Sequence, residues 1–327
     1  MSGEKVYRAL QAREGEFLSG QELSRSLGIT RAAVWKAVEQ LRRRGVQVEA
    51  RTGCGYRLLS GGALTAEAVA SYLASPRAHW QVLPAVDSTN NVCRDLARQG
   101  APDGTVVIAD CQTAGRGRKG RSFLSPAGMG LYLSILWRPL CQAEELLPLT
   151  ALAAVAVCRA VERLGGESPR IKWPNDIIMN GKKVCGILTE MTLEGESGTV
   201  DTAVVGIGVN CRQRTQDFPP ELREIAASLD MTMPRAVERA ALAAALMEEL
   251  DTLRREILFA PERWLEEYRR RCLQLWQPVE ILRDGRTLQA DVLAVDERFG
   301  LTVRYADGTV ETLRSGEISV RGVCGYV

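Results

Sequence analysis

Hydrophobic residues recur at helical spacing near the start of the chain and predict two short helices there. Ser19 and Glu22 form a capping box for a first helix through Leu27, and Gly28 suits the left-handed end of that helix. Thr30 is placed to cap a second helix, in which apolar residues recur every three or four positions. The apolar stripe of this second helix consists of Val34, Val38 and Leu41.

An alternating pattern follows the two helices. Residues 46–50 alternate like a strand, Gly53 and Gly55 can turn the chain, and residues 56–58 can return. Two helices joined by a short turn with a glycine, followed by a hairpin, predict a winged helix-turn-helix domain over residues 1–60. The predicted DNA contacts are Arg31, Ala32, Trp35, Lys36, Arg51 and Arg57. The alternative is a small helical packing domain with a basic face.

The middle of the chain mixes strand-like and helix-like patterns after a linker at residues 60–62. Strands are predicted over residues 106–109, 131–135 and 203–209, and helices over residues 146–164 and 240–250. Because strands and helices do not alternate regularly, we expect an α+β domain with a mixed sheet over residues 64–272.

A third unit is predicted over residues 273–327. Short strand-like runs precede Asp-Gly pairs at 284–285 and at 307–308, and such pairs are signals of β-hairpins. No cluster of titrating groups marks this unit as catalytic. We therefore expect it to support the binding of a ligand or of a partner protein.

The composition limits the possible chemistry. The chain of 327 residues is long enough for two or three domains. Its nine cysteines include no CxxC pair, and His79 is its one histidine. These counts argue against a disulfide framework, a zinc site and a Ser-His-Asp triad. The chemistry has to rest on Lys, Arg, Asp, Asn and backbone groups.

Charge is distributed unevenly along the chain. Residues 1–60 hold eleven Lys/Arg and six Asp/Glu, a balance of +5, whereas the remainder has a balance of −3. A basic head on a slightly acidic body indicates binding of nucleic acid. The first ten residues form no apolar run, and the longest apolar stretch, residues 149–158, is too short to span a bilayer. We therefore expect a cytoplasmic protein that does not associate with membranes.

A basic loop carries the most informative pattern in the chain. Residues 115–121 (GRGRKGR) combine four cations with three glycines and contain no acid. Glycines allow close approach of the backbone to a ligand, and the cations need anionic partners such as phosphate or carboxylate. We expect this loop to be mobile when empty and to become ordered around an anionic ligand. The alternative is a solvated basic loop or a patch that binds nucleic acid.

Three further segments are candidates for chemistry. Residues 87–90 (DSTN) open a predicted helix, where they either cap it or bind a small polar group. Residues 172–176 (KWPND) either form a simple turn or contact a triphosphate and hold Mg²⁺. Lys183 enters an apolar strand, either as a surface cation or as a group that stabilises a carboxylate and the charge developing on it.

Taken in order, these segments resemble the biotin protein ligase family, and in particular its bifunctional members that also repress a biotin operon. The resemblance covers nearly the whole chain, and the ordered set of motifs is highly specific. The matching pieces are the winged head, residues 87–90, Gln112, residues 115–121, residues 172–176, Lys183 with residues 186–188, and residues 206–210 (GIGVN).

The resemblance implies a two-step reaction that depends on ATP and Mg²⁺. Biotin is activated as biotinyl-5′-AMP and then passed to a lysine of a biotin carboxyl carrier protein. No nucleophile of the enzyme is needed, so the protein supplies positioning and charge stabilisation. The resemblance also implies an SH3-like barrel at the carboxyl end. It further implies a homodimer in the adenylate-bound state, which places two winged heads on operator DNA.

Residue roles follow from the same resemblance. The expected catalytic residues are Lys183 and Arg118. The expected biotin-binding residues are Ser88, Thr89, Asn90, Gln112, Arg116, Gly117, Arg118 and Lys183. The expected ATP-binding residues are Arg118, Arg121, Lys172, Asn175, Asp176 and Asn210, and Asp176 is also the expected metal ligand.

Two positions depart from the family pattern. Phe123 stands where the family often has Trp, so its contact with the nucleotide does not follow from the resemblance. Trp35 stands where smaller polar residues are usual, so the operator sequence does not follow either. The alternative functions are a ligase for lipoate or another acyl group, and a transcription factor that senses a small molecule without catalysis.

Overall fold

The computed structural model describes residues 2–13, 16–43, 48–58, 64–195, 197–283, 285–314 and 319–322. The amino-terminal unit contains three helices and one hairpin. These elements are α1 (Ser2–Gln11), α2 (Gly20–Leu27), α3 (Arg31–Arg43), β1 (Val48–Arg51) and β2 (Gly55–Leu58). The two strands pair antiparallel, which confirms the predicted wing; Val46, Gln47 and the predicted linker lie outside the described residues.

The local signals of the amino-terminal unit act as predicted, with one exception. The Ser19 hydroxyl accepts from the Glu22 amide at 3.1 Å, and Gly28 ends α2 with a φ of 64°. Thr30 accepts from the Ala33 amide at 3.2 Å. A capping box also requires the Glu22 side chain to accept from the Ser19 amide. This part of the prediction is wrong, because the Glu22 carboxylate instead accepts from Arg13 at 2.6 Å.

The central unit is built on a seven-stranded mixed sheet in the order β3-β4-β5-β9-β8-β7-β6. Its strands are β3 (Trp80–Leu83), β4 (Val106–Ala109), β5 (Gly130–Trp137), β6 (Arg170–Lys172), β7 (Asp176–Met179), β8 (Lys182–Leu193) and β9 (Val200–Asn210). The β3–β4 pair is parallel, and the other neighbours are antiparallel. This arrangement confirms the predicted α+β class with a mixed sheet.

Helices cover both faces of the central sheet. They are α4 (Ala66–Tyr72), α5 (Thr89–Arg98), α6 (Leu149–Arg163), α7 (Leu229–Thr232), α8 (Arg239–Glu256) and α9 (Pro261–Arg271). The long α6 and α8 pack together and bury most of their side chains, while α5 packs against the other face through Cys93. The predicted start of α6 at residue 146 was too early. Pro148 has no amide hydrogen to donate, so it favours a helix start at Leu149.

The carboxyl-terminal unit is a five-stranded antiparallel sheet in the order β13-β12-β11-β10-β14. Its strands are β10 (Pro278–Arg283), β11 (Arg286–Val295), β12 (Leu301–Tyr305), β13 (Val310–Leu313) and β14 (Ser319–Gly322). The two predicted Asp-Gly turns join β10 to β11 and β12 to β13, although Asp284 lies outside the described residues. The indole nitrogen of Trp173 donates to the Phe299 carbonyl at 2.8 Å. This bond joins the small sheet to the turn between β6 and β7.

Among the described residues, the helices are all too short or too polar to serve as a membrane span.

Candidate functional site

A cavity of about 280 Å³ opens between the basic loop, the amino end of α5, the β6–β7 turn and strands β8 and β9. All thirteen residues that the resemblance assigned to biotin or ATP line this cavity. They are Ser88, Thr89, Asn90, Gln112, Arg116, Gly117, Arg118, Arg121, Lys172, Asn175, Asp176, Lys183 and Asn210. Four segments that lie far apart in the sequence therefore meet at one concave surface.

At one end of the cavity, hydroxyl and amide groups of wall residues bond to one another and to two buried serines behind the wall. The side-chain carbonyl oxygen of Gln112 accepts from the backbone amide of Thr89 at 2.9 Å and from its hydroxyl at 3.1 Å. The Gln112 amide nitrogen donates to the Ser125 hydroxyl at 3.0 Å. The Ser134 hydroxyl lies 2.7 Å from Thr89 Oγ1 and 2.6 Å from Asn90 Oδ1. This end is preorganised to recognise a neutral polar group.

The position of Ser88 distinguishes between the two interpretations of residues 87–90. Ser88 is the N-cap residue of α5, but its side chain makes no capping hydrogen bond. Ser88 is 3% exposed as a residue and belongs to the cavity wall. Helix capping is therefore not what this side chain does, and the structure favours the ligand-binding interpretation.

The basic loop folds back on itself over the cavity. The Gly117 amide donates to the Arg121 carbonyl at 2.6 Å, and the Phe123 amide donates to the Gly115 carbonyl at 2.8 Å. The guanidinium of Arg118 donates to Asn175 Oδ1 at 3.2 Å, which connects the loop to the KWPND turn. Burial lowers the pKa of Arg118, with nearby Asp176 acting in the opposite direction. A partly desolvated cation at this position is suited to receive an anionic ligand.

Lys183 and Asp176 form an ion pair on the neighbouring strands β7 and β8. The Lys183 ammonium lies 2.5 Å from Asp176 Oδ1, and their side chains are 26% and 18% exposed. Lys183 is therefore not a simple surface cation, because its ammonium is paired with Asp176 in the cavity wall. Lys172 and Asn175 are buried beside this pair, with 5% and 7% exposure.

Asn210 lies at the far side of the cavity, at the end of β9. Its amide nitrogen donates to the Ala227 carbonyl at 3.1 Å, and its oxygen accepts from Gln213 at 3.3 Å. The residue is 6% exposed. Asn210 therefore bonds the segment that follows β9 to the end of that strand.

Phe123 occupies the floor of the cavity, where two glycines leave space for its ring. Gly186 on β8 is directly opposite Gly208 on β9. A Cβ atom at Gly208 would lie 2.6 Å from the Phe123 ring, and one at Gly186 would lie 3.5 Å from it. The ring also packs edge-to-face with Tyr132, at 6.4 Å between centroids. The substitution of Phe for Trp thus preserves an aromatic floor.

Sequence reasoning missed Glu190 and Ser134. Glu190 Oε2 accepts from Asn90 at 2.7 Å and from Arg116 at 3.1 Å. The signal for Glu190 was strand alternation, since it shares a face of β8 with the cavity residues Gly186 and Leu188. Ser134 lies within an otherwise apolar buried strand, so it was passed over as part of the core.

The candidate DNA-binding face lies on the amino-terminal unit. Arg31, Ala32, Trp35 and Lys36 are all exposed on one side of α3, and Trp35 is 59% exposed. The opposite side of α3 buries Val34 and other apolar residues in the core. The structure therefore presents the four predicted base-facing residues of α3 together.

The two predicted wing arginines are held by neighbouring side chains. The guanidinium carbons of Arg51 and Arg57 lie 5.0 Å and 4.5 Å from the centroid of the Phe17 ring. Both arginines also pair with Glu49. The side chain of Arg51 is 61% exposed, compared with 31% for Arg57. Arg51 is therefore the more accessible of the two for contact with phosphate.

Comparison with known proteins shows the family. A profile of the biotin/lipoate A/B protein ligase family matches residues 82–210, and a helix-turn-helix domain profile matches residues 4–57. The chain is 32% identical over 318 residues to the bifunctional ligase/repressor BirA of Escherichia coli (strain K12), a match that covers 94% of each chain. The chain belongs to the biotin protein ligase family.

Two further members of the biotin protein ligase family are similar to the chain. The bifunctional ligase/repressor BirA of Bacillus subtilis (strain 168) is 42% identical over 228 residues, which is 69% of this chain and 70% of that protein. A structure of the biotin protein ligase from Aquifex aeolicus in complex with biotin and ATP matches with a TM-score of 0.64 and 28% identity. That match covers 75% of this chain and 100% of the other. Family membership confirms the resemblance, the enzyme class and the fold class predicted from the sequence.

Proposed function

We propose that this chain attaches biotin to a lysine of a biotin carboxyl carrier protein by way of biotinyl-5′-AMP. In the first step a carboxylate oxygen of biotin attacks the α-phosphorus of ATP, and pyrophosphate leaves with the electrons of the broken bond. In the second step the amine of the acceptor lysine attacks the anhydride carbonyl, an amide forms, and AMP leaves. The observation that carries the proposal is the single cavity that joins a neutral polar end to Lys183 and Arg118.

The neutral polar end suits the ureido group of biotin. Gln112 and Ser134 both bond to Thr89 there, which fixes their hydroxyl and amide groups before a ligand arrives. A ureido group has one carbonyl acceptor and two N–H donors, so it can bond to hydroxyl and amide groups without desolvating a charge. The carboxylate of biotin would then lie towards the cationic end of the cavity.

The cationic end suits the reacting atoms. Negative charge grows around the α-phosphorus in the first step, and Lys183 and Arg118 line the part of the cavity where it would grow. In the proposed role, Lys183 exchanges its bond to Asp176 for bonds to the ligand. Arg118 and the basic loop cover the anhydride and exclude water, which would otherwise hydrolyse it.

The residues around Asp176 fit Mg²⁺ bound together with ATP. No group of three or more His, Cys, Asp or Glu side chains suited to a metal occurs among the described residues. Mg²⁺ commonly takes one or two protein carboxylates and completes its shell with phosphate oxygens and water. Asp176 would supply the protein carboxylate, and the ion would neutralise charge on the triphosphate.

The proposed function also includes repression of transcription. The helix-turn-helix match and the exposed face of α3 support binding of operator DNA, with biotinyl-5′-AMP as corepressor. In the proposed mechanism, the adenylate orders loops of the central unit and favours a homodimer, which places two winged heads on a palindromic site. The dimer and the cytoplasmic location expected from the sequence remain predictions.

Mass spectrometry of a carrier domain tests the ligase half directly. After incubation with the protein, biotin and MgATP, the domain should gain the mass of one biotinyl group on one lysine. Tight binding of biotin without transfer would favour a sensor that lacks catalysis. Pyrophosphate exchange that depends on lipoate, and not on biotin, would instead favour the lipoate ligase.

A gel-shift titration tests the regulatory half. The affinity for a DNA fragment that contains the operator should be higher with biotin and MgATP than without them, because the corepressor favours the DNA-binding state. Equal affinity under the two conditions would contradict the corepressor role and leave the ligase half intact.

A further inference from the structure

Glu190 forms a three-way junction at the edge of the cavity. Its Oε2 atom accepts from Asn90 Nδ2 at 2.7 Å and from a guanidinium nitrogen of Arg116 at 3.1 Å. Its Oε1 atom lies 3.5 Å from a guanidinium nitrogen of Arg94 on α5. The carboxylate therefore joins α5, through Asn90 and Arg94, to the basic loop, through Arg116.

The wall side of this junction extends into the polar end of the cavity. Asn90 Oδ1 lies 2.6 Å from the Ser134 hydroxyl, which in turn lies 2.7 Å from Thr89 Oγ1. The Asn90 amide also packs against Gly206, where a Cβ atom would overlap it. Glu190 thus fixes the orientation of the Asn90 amide, and through it the hydroxyls of the polar end.

The loop side of the junction reaches a cation of residues 115–121. Arg116 is bonded to the Glu190 carboxylate and to Asn91 Oδ1 at 2.8 Å, whereas Arg118 is bonded to the neutral amide of Asn175. A guanidinium donates in both cases, so both bonds are charge-assisted, but of the two only the bond to Glu190 joins opposite charges. Glu190 is therefore the anionic anchor of Arg116.

We infer that Glu190 is a positioning residue that holds the basic loop closed through Arg116 and aligns the polar end of the cavity through Asn90. This inference rests on the proposed function, in which the closed loop retains biotinyl-5′-AMP. Glu190 touches no reacting atom in this role. Its loss should release the intermediate faster and weaken biotin binding.

Limited digestion by trypsin measures loop closure without measuring catalysis, because trypsin cleaves after Arg and Lys and the loop contains four such residues. The full chain is digested with and without biotin and MgATP, and cleavage within residues 115–121 is followed by mass spectrometry. Protection of the wild-type loop by the two ligands tests the proposed function. If ligands give the wild type no protection, the proposed function fails, and the inference about Glu190 is then tested by cleavage of the loop without ligands, which should be faster in Glu190→Ala than in the wild type.

In Glu190→Ala we expect the protection of residues 115–121 against trypsin by the two ligands to fall by about fivefold. This size is typical of the loss of a partly exposed charge-assisted bond. We expect a similar acceleration of adenylate release and a raised KM for biotin. Glu190→Gln keeps the acceptor oxygen and loses the charge, so we expect it to lie between the wild type and Glu190→Ala. Glu194→Ala, an exposed acid just beyond β8, is the matched control and should behave as the wild type.

A double-mutant comparison isolates the path through Arg116. Adding Glu190→Ala to Arg116→Ala should increase cleavage of the loop little further, because the shared bond is already lost. Wild-type protection and adenylate release in Glu190→Ala would overturn the inference while the proposed function stands. If Glu190→Ala does not fold, wild-type values in Glu190→Gln would overturn it equally.

Discussion

The ammonium of Lys183 lies 2.5 Å from the carboxylate of Asp176, across the β7–β8 pair. In this arrangement the charge of the lysine is neutralised by the protein itself. A ligand that carries carboxylate or phosphate would compete with Asp176 for the lysine, and Mg²⁺ would compete with the lysine for Asp176. The two partners should therefore respond differently when each is replaced.

Replacement of Lys183 should affect the chemical step. Lys183→Ala removes the cation that faces the growing negative charge, and we expect adenylate formation to slow by about 10²- to 10³-fold. Biotin-dependent pyrophosphate exchange measures this rate. The neighbouring Lys182 donates to the Arg223 carbonyl, on the other side of the strand, so Lys182→Ala is the matched control. A near-normal exchange rate in Lys183→Ala would contradict the charge-stabilising role.

Replacement of Asp176 should affect the requirement for Mg²⁺. Asp176→Asn removes the carboxylate from the cavity while it keeps the shape of the side chain. We expect the Mg²⁺ concentration at half-maximal exchange rate to rise by about tenfold, because hard cations prefer charged oxygen ligands. The KM for biotin should not rise, because asparagine competes less than aspartate with the biotin carboxylate for Lys183. An unaltered Mg²⁺ titration curve would remove Asp176 from the ATP–Mg²⁺ site.

Replacement of Arg118 should speed the release of biotinyl-5′-AMP from the cavity. Arg118→Gly removes the guanidinium that joins the loop to Asn175. We expect the adenylate to escape and to label lysines of bystander proteins, which a blot with labelled streptavidin detects. Lys119 has a φ of 57°, a conformation that glycine adopts without strain, so Lys119→Gly removes a cation from the same loop as a control. Strict acceptor specificity in Arg118→Gly would count against retention by this residue.

The observed position of the Phe123 ring should be possible only with glycine at residue 208. A Cβ at Gly208 would lie 2.6 Å from that ring, so Gly208→Ala forces the aromatic side chain out of place. We expect a loss of about 1–3 kcal/mol in the free energy of unfolding, as is typical of overpacking, together with weaker ligand binding. Adding Phe123→Ala should restore part of the stability, because it removes the clash. If the double variant is less stable than Gly208→Ala, steric conflict with the ring is not the cause.

The exposed face of α3 should govern the affinity for DNA. Lys36→Ala is expected to weaken binding and to relax the sequence preference at one position of the site, because Lys36 is among the residues predicted to face base edges. Trp35→Ala is expected to change the preference among sequences, because an exposed apolar ring can contact base edges. Arg98→Ala, an exposed cation on the central unit, is the control. Titrations in which Lys36→Ala matches Arg98→Ala would exclude α3 as the DNA-binding element.

Much of the fold was predictable because its signals are local. The cap at Ser19, the stop at Gly28 and the Asp-Gly turns each act within a few residues of backbone. The start of α6 was misjudged because apolar periodicity continues through residue 146, while the deciding constraint is the ring of Pro148. The reciprocal bond of Glu22 was lost to Arg13, nine residues away, which no local rule takes into account.

Local patterns in the chain were enough to identify which side chains carry the chemistry and to place them on a loop, a turn and a strand. Only the folded sheet decided their partners, because the register of β8 against β7 and β9 sets Lys183 beside Asp176 and Gly186 opposite Gly208. Glu190 shows the same dependence, since its two bonded partners lie 100 and 74 residues away along the chain. Contacts over such separations form only when the hydrophobic core brings distant strands and loops together, so sequence spacing contains no direct record of them.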